Sequence, residues 1–174
     1  MANCVQIPDF IVPECDFESG RVVAIAIISK RIFDAIYADP TNASLWVDGS
    51  YAADLHIFQE VNGTIADPSA IDVPGIGNQD TRTINADRTA EIMIQGVKSN
   101  ESFFNELVKS HEHRFAFVTG GSYQTLFMVN KDCNFFGGFS VESGLDTSVD
   151  WKMSVKWKDI NSPQSSDVPT GVFN

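Results

Sequence analysis

The densest group of side chains that could bind a metal or catalyse a reaction is the run His111-Glu112-His113-Arg114. Two imidazoles at alternate positions before a strand could both turn towards one zinc ion. The zinc-protease pattern, however, needs two more residues between the glutamate and the second histidine, and the spacing marks out no third ligand. A solvated connection between a helix and a strand is therefore the better interpretation.

The other candidate groups lack the neighbours that would activate them. His56 stands alone among apolar residues, which favours a partly buried histidine over a catalytic base. Cys133 lies between Asp132 and Asn134, and an acidic neighbourhood raises the pKa of a thiol and so disfavours a reactive thiolate. Gly75-Ile76-Gly77 is followed by neither the third glycine nor the helix start of a dinucleotide-binding loop. We therefore predict no catalytic residue, no metal site and no cofactor.

Length and charge restrict the function further. The 174 residues, 43% of them apolar, predict one domain with its own core. A formal net charge of -11 argues against tight binding to nucleic acid or to an anionic membrane. The same charge would suit a conduit for DNA, because like charges keep a moving polymer off the wall.

Cysteine usage and the start of the chain predict synthesis in the cytosol. Met1-Ala2-Asn3-Cys4 has no basic and apolar leader, and no apolar stretch approaches the ~20 residues that cross a bilayer. Cys4, Cys15 and Cys133 make an odd count, so reduced thiols are expected. A Cys4 to Cys15 contact in an oxidising medium is the alternative.

Most of the chain has the pattern of β-strands, so the expected fold is mainly β (α+β) with one or two short helices. The clearest strand is 149–160, where two tryptophans share one parity and three lysines share the other. Short helices are expected within 43–54, where Asp48-Gly49 would also suit a hairpin, and over 100–110. Further strands are predicted at 21–28, 56–61, 82–97, 114–119, 123–129 and 135–141.

Three segments lack such a pattern and set the expected domain limits. Residues 1–19, rich in proline, predict an extended arm ahead of a single domain over 20–160. Asn62-Gly63 predicts a tight turn, and it begins a long loop, 62–81, with no regular structure of its own. Loops of that length tend to order against a partner, which favours assembly. Residues 161–174 predict a polar tail with nothing to bury.

Several of these segments together resemble a known family of proteins. They are the run 73–83 (VPGIGNQDTRT), the strand after it, 100–107 (NESFFNEL), 114–119 (RFAFVT) and the opening Cys4-Val5-Gln6-Ile7-Pro8. This combination is similar to small tail proteins of tailed bacteriophages, above all the crAss-like and related phages of Bacteroidetes. The likeness covers roughly residues 4–158.

The resemblance implies a tail-tube-like fold of two packed antiparallel sheets and a subunit of a closed ring or tube in the virion tail. Such rings are commonly sixfold, or twelvefold near the portal, and contact other tail or portal-proximal proteins. Double-stranded DNA passes through them transiently without tight binding, and no membrane is involved. The implied inter-subunit loop residues are Asn62, Pro74, Gly75, Gly77, Gln79 and Arg82, and the implied channel-lining residues are Thr83, Asn85, Asp87, Thr89 and Glu91. Lys152, Lys156 and Lys158 conflict with this, because a lysine face in the lumen would attract DNA.

Two other functions remain open from the residues. A carbohydrate-binding β-sandwich of a tail fibre or surface protein would use Trp46, Tyr51 and Tyr123 as stacking platforms. A small hydrolase would assemble its site around His111, His113 and nearby carboxylates.

Overall fold

The computed structural model describes residues 18–75, 77, 81–95, 100–110, 112–121, 124–141 and 149–173, and within these ranges the chain is mainly β. This confirms the predicted mainly β fold class, although the described residues form three short α-helices where one or two were expected. The helices are α1 (Lys30–Ala38), α2 (Ala43–Trp46), α3 (Glu101–Lys109) and a short 3-10 helix (Gly49–Tyr51). The strands are β1 (Glu18–Ser29), β2 (Leu55–Phe58), β3 (Asn62–Ile65), β4 (Ser69–Val73), β5 (Arg82–Ile94), β6 (His113–Gly121), β7 (Thr125–Val129), β8 (Asn134–Val141), β9 (Val149–Lys158) and β10 (Gln164–Asp167).

All these strands belong to one antiparallel sheet that folds over on itself. Its order is β10-β7-β6-β1-β3-β5-β9-β8, with β2 also paired to β1 and β4 also paired to β5. Four strand spacings separate β6 from β9, about 19 Å in a flat sheet. Yet the rings of Phe117 in β6 and Trp157 in β9 stack with centroids 6.1 Å apart. The two packed layers expected from the sequence are therefore the two halves of one continuous sheet.

The inner core between the halves follows the alternation of the strands. In β9, Trp151, Met153, Val155 and Trp157 are buried, while the lysines between them are exposed. Helix α3 packs on the same core, where the ring of Phe104 stacks on Trp151 at 4.9 Å. The predicted parity of this strand is confirmed, and the two tryptophans anchor the core.

The outward face of β10, β7, β6 and β1 is covered by a second apolar cluster. Ala24, Ala26 and Ile28 of β1 point to this side, where they pack with buried residues of α1. Because β1 is buried on both faces, its sequence reads as a continuous apolar run. Ser29 caps α1 by accepting a hydrogen bond from the Arg31 backbone N–H.

The C-terminal segment takes part in this covering layer, so the predicted polar tail over 161–174 is wrong. Residues 164–167 form β10 against β7, and Val172 and Phe173 are each only 7% exposed. The Phe173 ring packs edge-on against Trp46 at 5.2 Å. Two apolar residues at the end of a polar segment are enough to dock it, and the composition of the whole segment hid them.

The predicted loop over 62–81 is also wrong in part, because nine of its residues lie in strands. Asn62 and Gly63 lie inside β3 and not in a turn, and residues 69–73 form β4. A side chain at Gly63 would collide with Ile92 and would lie 2.9 Å from the backbone oxygen of Glu91, so close packing explains the glycine. Pro68 and Pro74 directly flank β4, at the ends where prolines cost no ladder hydrogen bond.

The remaining expectations are met in part. A short helix begins at Ala43 as predicted, capped by the Asn42 side chain, but it is only four residues long. Residues 18 and 19 of the predicted arm belong to β1, and residues 1–17 lie outside the described part of the chain. No helix in the described ranges has both the length and the apolarity to cross a membrane.

Candidate interaction surface

The outward side of β3, β5, β9 and β8 forms a broad surface, which we call the open face. Its side chains do not join the apolar cluster that covers the other half of the sheet. Alternation along each strand puts polar residues here and apolar residues in the inner core. Its members are Asn62, Thr64, Asp87, Thr89, Glu91, Met93, Asn134, Phe136, Gly138, Ser140, Lys152, Ser154, Lys156 and Lys158.

Strand register interleaves opposite charges on the open face. Lys158 lies opposite Asp87, with its ammonium 3.8 Å from the carboxylate. Ser154 lies opposite Glu91, which places that carboxylate between Lys152 and Lys156 of the neighbouring strand. Lys152, Lys156 and Lys158 conflicted with the expected DNA conduit. Because the acidic residues of β5 lie beside them, this face carries charges of both signs.

A groove of about 620 Å3 runs along the open face between β3 and β8. Phe136, 74% exposed, stands on one side, and Met93 and Lys152 contribute to its lining. Gly138 has nothing within 4 Å of where a Cβ would be, so the surface is open beside the phenyl ring. Phe136 was not among the residues predicted from the sequence. Its place in the alternation of β8, on the same side as Asn134, Gly138 and Ser140, was the signal that could have found it.

The predicted channel-lining residues divide between two places. Asp87, Thr89 and Glu91 lie on the open face. Thr83 and Asn85 lie further along β5, where it pairs with β4 but no longer with β9. We call this projecting pair, 69–73 with 82–86, the hairpin arm.

The hairpin arm explains an exception to the strand pattern. Ile84 has the parity of the core residues, yet it is 51% exposed. It lies at a register shift between β4 and β5, because Asp72 is opposite Thr83 and Ile71 is opposite Asn85, so that no residue of β4 lies opposite Ile84. Thr83 donates a hydrogen bond of 2.6 Å to Asp72 across the arm. Both faces of the arm are therefore accessible.

The predicted inter-subunit residues are spread along the chain around the arm. Asn62 lies in β3, on the open face and not in a loop. Pro74, Gly75 and Gly77 follow β4, and Gly77 has a φ of 73°, which favours glycine. Arg82 opens β5 opposite Val73, and Gln79 lies outside the described residues.

The histidine candidates do not form a metal site in the described part of the chain. No group of three or more His, Cys, Asp and Glu residues there could hold a metal ion, and His111 is outside it. His113 begins β6 with a ring nitrogen 3.1 Å from the Ser110 hydroxyl. His56 packs edge-on against Phe103 at 4.8 Å. Burial lowers the pKa of both imidazoles, and for His113 the nearby His56 lowers it further.

Cys133 is buried, which disfavours a reactive thiolate. Burial raises the pKa of its thiol to about 12, and Asp132 adds to the rise. The predicted direction is confirmed, but the main cause is burial and not the acidic neighbour. Asp132 accepts from Lys30 and from Arg114, each at 2.7 Å, and these hydrogen bonds lower its own pKa to about 2.

The aromatic platforms predicted for carbohydrate binding are not placed together. Trp46 is 3% exposed and donates its indole N–H to the Pro40 carbonyl, so it belongs to the core. Tyr51 is half-buried against the covering layer, and Tyr123 lies outside the described residues, as do Cys4 and Cys15.

Comparison with known proteins gives no relative from which a function could be transferred. The chain matches no model of a protein family, no curated protein and no solved structure.

Proposed function

We propose that this chain is a structural protein of a bacteriophage virion: one subunit of a homo-oligomeric ring or tube in the tail. Copies would close into a sixfold or twelvefold ring whose channel passes the double-stranded genome and which contacts other tail or portal-proximal proteins. In this function the chain is not an enzyme. The open face carries the proposal, because it is the one broad surface of the described chain that combines strand-built regularity with interleaved charge.

Interleaved charge is what a channel for DNA requires. An unpaired lysine cluster would hold phosphates and release counterions, which makes binding tight at low salt. A carboxylate beside each lysine reduces that attraction, as Asp87 does for Lys158. A duplex would then meet a polar wall without a continuous positive track.

The hairpin arm supports assembly. Its strands project past β9 and leave about half of Ile84, a large apolar side chain, exposed. Projecting two-stranded ribbons are marginally stable by themselves in water. A neighbouring subunit that covers the arm would stabilise it.

The mass of the purified protein tests this proposal first. From a chain of 19.1 kDa we expect about 115 kDa for six copies or about 229 kDa for twelve, by light scattering. Electron microscopy of the same fraction should show a central hole. A mass of one chain at every concentration would rule the ring out.

Placement of the open face in the channel is tested by charge reversal. Asp87→Lys with Glu91→Lys would create a positive wall, whereas Asp34→Lys with Glu112→Lys makes the same change in net charge away from the open face. We expect rings of the first variant to retain duplex DNA at least tenfold more tightly than the control, with a steep salt dependence. Equal retention by both variants would place the channel elsewhere.

A further inference from the structure

The two ends of the sheet order differ in how well their free edges are protected. At one end, β10 has four residues, carries Asp167, and has Pro163 and Pro169 close to its two ends. Short length, charge and flanking prolines are the devices by which proteins prevent further strand pairing. The β10 edge is therefore closed to additional strands.

At the other end, β8 has none of these protections. It has eight residues, NFFGGFSV, without a charge or a proline, and within the described chain it pairs only with β9. Phe136 and Phe139 are 74% and 44% exposed along it. A long, uncharged edge with exposed aromatic residues is a template for an added strand, because its unpaired N–H and C=O groups can form a ladder.

We propose that β8 receives β4 of a neighbouring copy, so that the sheet continues from one subunit to the next. This inference rests on the proposed ring, for which it names the contact. Among the described residues, β4 is a second free edge, since it pairs there only with β5. Its five residues fit within the eight of β8.

Charge is compatible with β4 as the occupant. Ser69 and Ile71 of β4 lie opposite Asp87 and Asn85, so they are on the outward side. Next to β8 on the outward side lies β9 with Lys152 and Lys156, and a strand added to β8 would be two spacings, about 10 Å, from β9. Because β4 contains no lysine or arginine, it would add no like charge beside these two lysines.

Pairing of β8 with β8 of a second copy is disfavoured by the same charges. It would place Lys152 and Lys156 of both copies on one side of the junction. A self-complementary contact would also stop at a dimer, whereas two different edges generate a ring. The β4 to β8 contact is the one compatible with closure into sixfold or twelvefold symmetry.

Disulfide trapping between copies tests the contact. Cα atoms directly opposite each other in neighbouring strands lie about 4.5 to 5.5 Å apart, which suits a disulfide. In a background with Cys4→Ser and Cys15→Ser, one protein carries Ile71→Cys in β4 and another carries a cysteine in β8. Because register is not known in advance, the second set covers the four outward positions Asn134, Phe136, Gly138 and Ser140. Ser165→Cys in β10 is the matched control.

We expect one β8 position to give disulfide-linked pairs with Ile71→Cys at least tenfold above the Ser165→Cys control. Stronger linkage of a β8 variant to itself, or equal linkage to β10, would overturn the inference. Rings of the expected mass without any β4 to β8 linkage would overturn it while leaving the ring intact. A protein that stays a single chain would overturn the ring and this contact together.

Discussion

The two halves of the rolled sheet have similar inner faces but opposite outer faces. In the half made by β1, β6 and β7, outward residues such as Ile28, Val118 and Met128 are buried under helices and the C-terminal segment. In the half made by β5, β9 and β8, the outward residues include Glu91 and Lys156, and they are exposed. The comparison teaches that the described residues cover one half of the sheet and leave the outer face of the other half exposed.

Matched methionines in the two halves should show the largest difference. Met128 points outward in the covered half and is 1% exposed, whereas Met93 points outward in the open half and is half-buried. We expect Met128→Ala to lower the free energy of unfolding by about 2 to 5 kcal/mol and Met93→Ala by roughly 1 kcal/mol or less. Urea denaturation of both variants measures this, and equal losses would mean that the open half is also covered.

Matched glycines sharpen the comparison between inner and outer faces. Gly63→Ala would push a methyl group against Ile92 and the Glu91 backbone, so we expect a loss of about 1 to 3 kcal/mol. Gly138→Ala meets nothing within 4 Å and should change stability by less than about 0.5 kcal/mol. Thermal and urea unfolding of the two variants decide the point. A harmless Gly63→Ala would contradict the close packing of β3 on β5.

Introducing a charge tests what the open half contacts. Ile71→Lys should weaken association about tenfold, since it places a third cation near Lys152 and Lys156 of the neighbouring copy. Lys156→Asp added to Ile71→Lys should restore most of the loss. Sedimentation at several concentrations measures both. If the double variant associates no better than Ile71→Lys alone, the two residues do not meet.

A smaller effect is expected from pH at the end of the inner core beside α3. Burial lowers the pKa of His56 and His113 below the ordinary value of 6.5, and Asp54 and Glu112 only partly oppose this for His113. The unfolded chain therefore binds protons more readily, so stability is full above pH 6.5 and declines as the pH falls below it. The urea midpoint should drop between pH 8 and pH 5.5, and His56→Gln with His113→Gln should flatten that drop.

Patterns within a strand were predictable from the sequence, and relations between strands were not. The alternation of β9 and of most of β5 gave their inner and outer faces, because a period of two is a local property. Pro68 and Pro74 were misread because a proline at the end of a strand looks like one in a loop. The burial of Phe173 depends on Trp46, 127 positions earlier in the sequence, and no local pattern reports such a contact.

The folding of the sheet into two layers and the groove on the open face also depend on relations between strands. They could therefore not be predicted from the sequence. Strand β1 has register irregularities against β6 between Glu18 and Val22 and between Val22 and Ala24. Such bulges bend a strand and increase its twist, which helps one sheet to form two layers. The groove beside Phe136 then results from the register of β8 on β9.

Amide hydrogen exchange of the assembled protein, compared with dilute single chains, tests most directly the claim that copies meet at the unprotected edge of the open half. Assembly should slow exchange in β8 and β4 at least tenfold and leave β10 unchanged, because only the first two gain ladder hydrogen bonds. Slower exchange in β10 with no change in β8 would contradict the account.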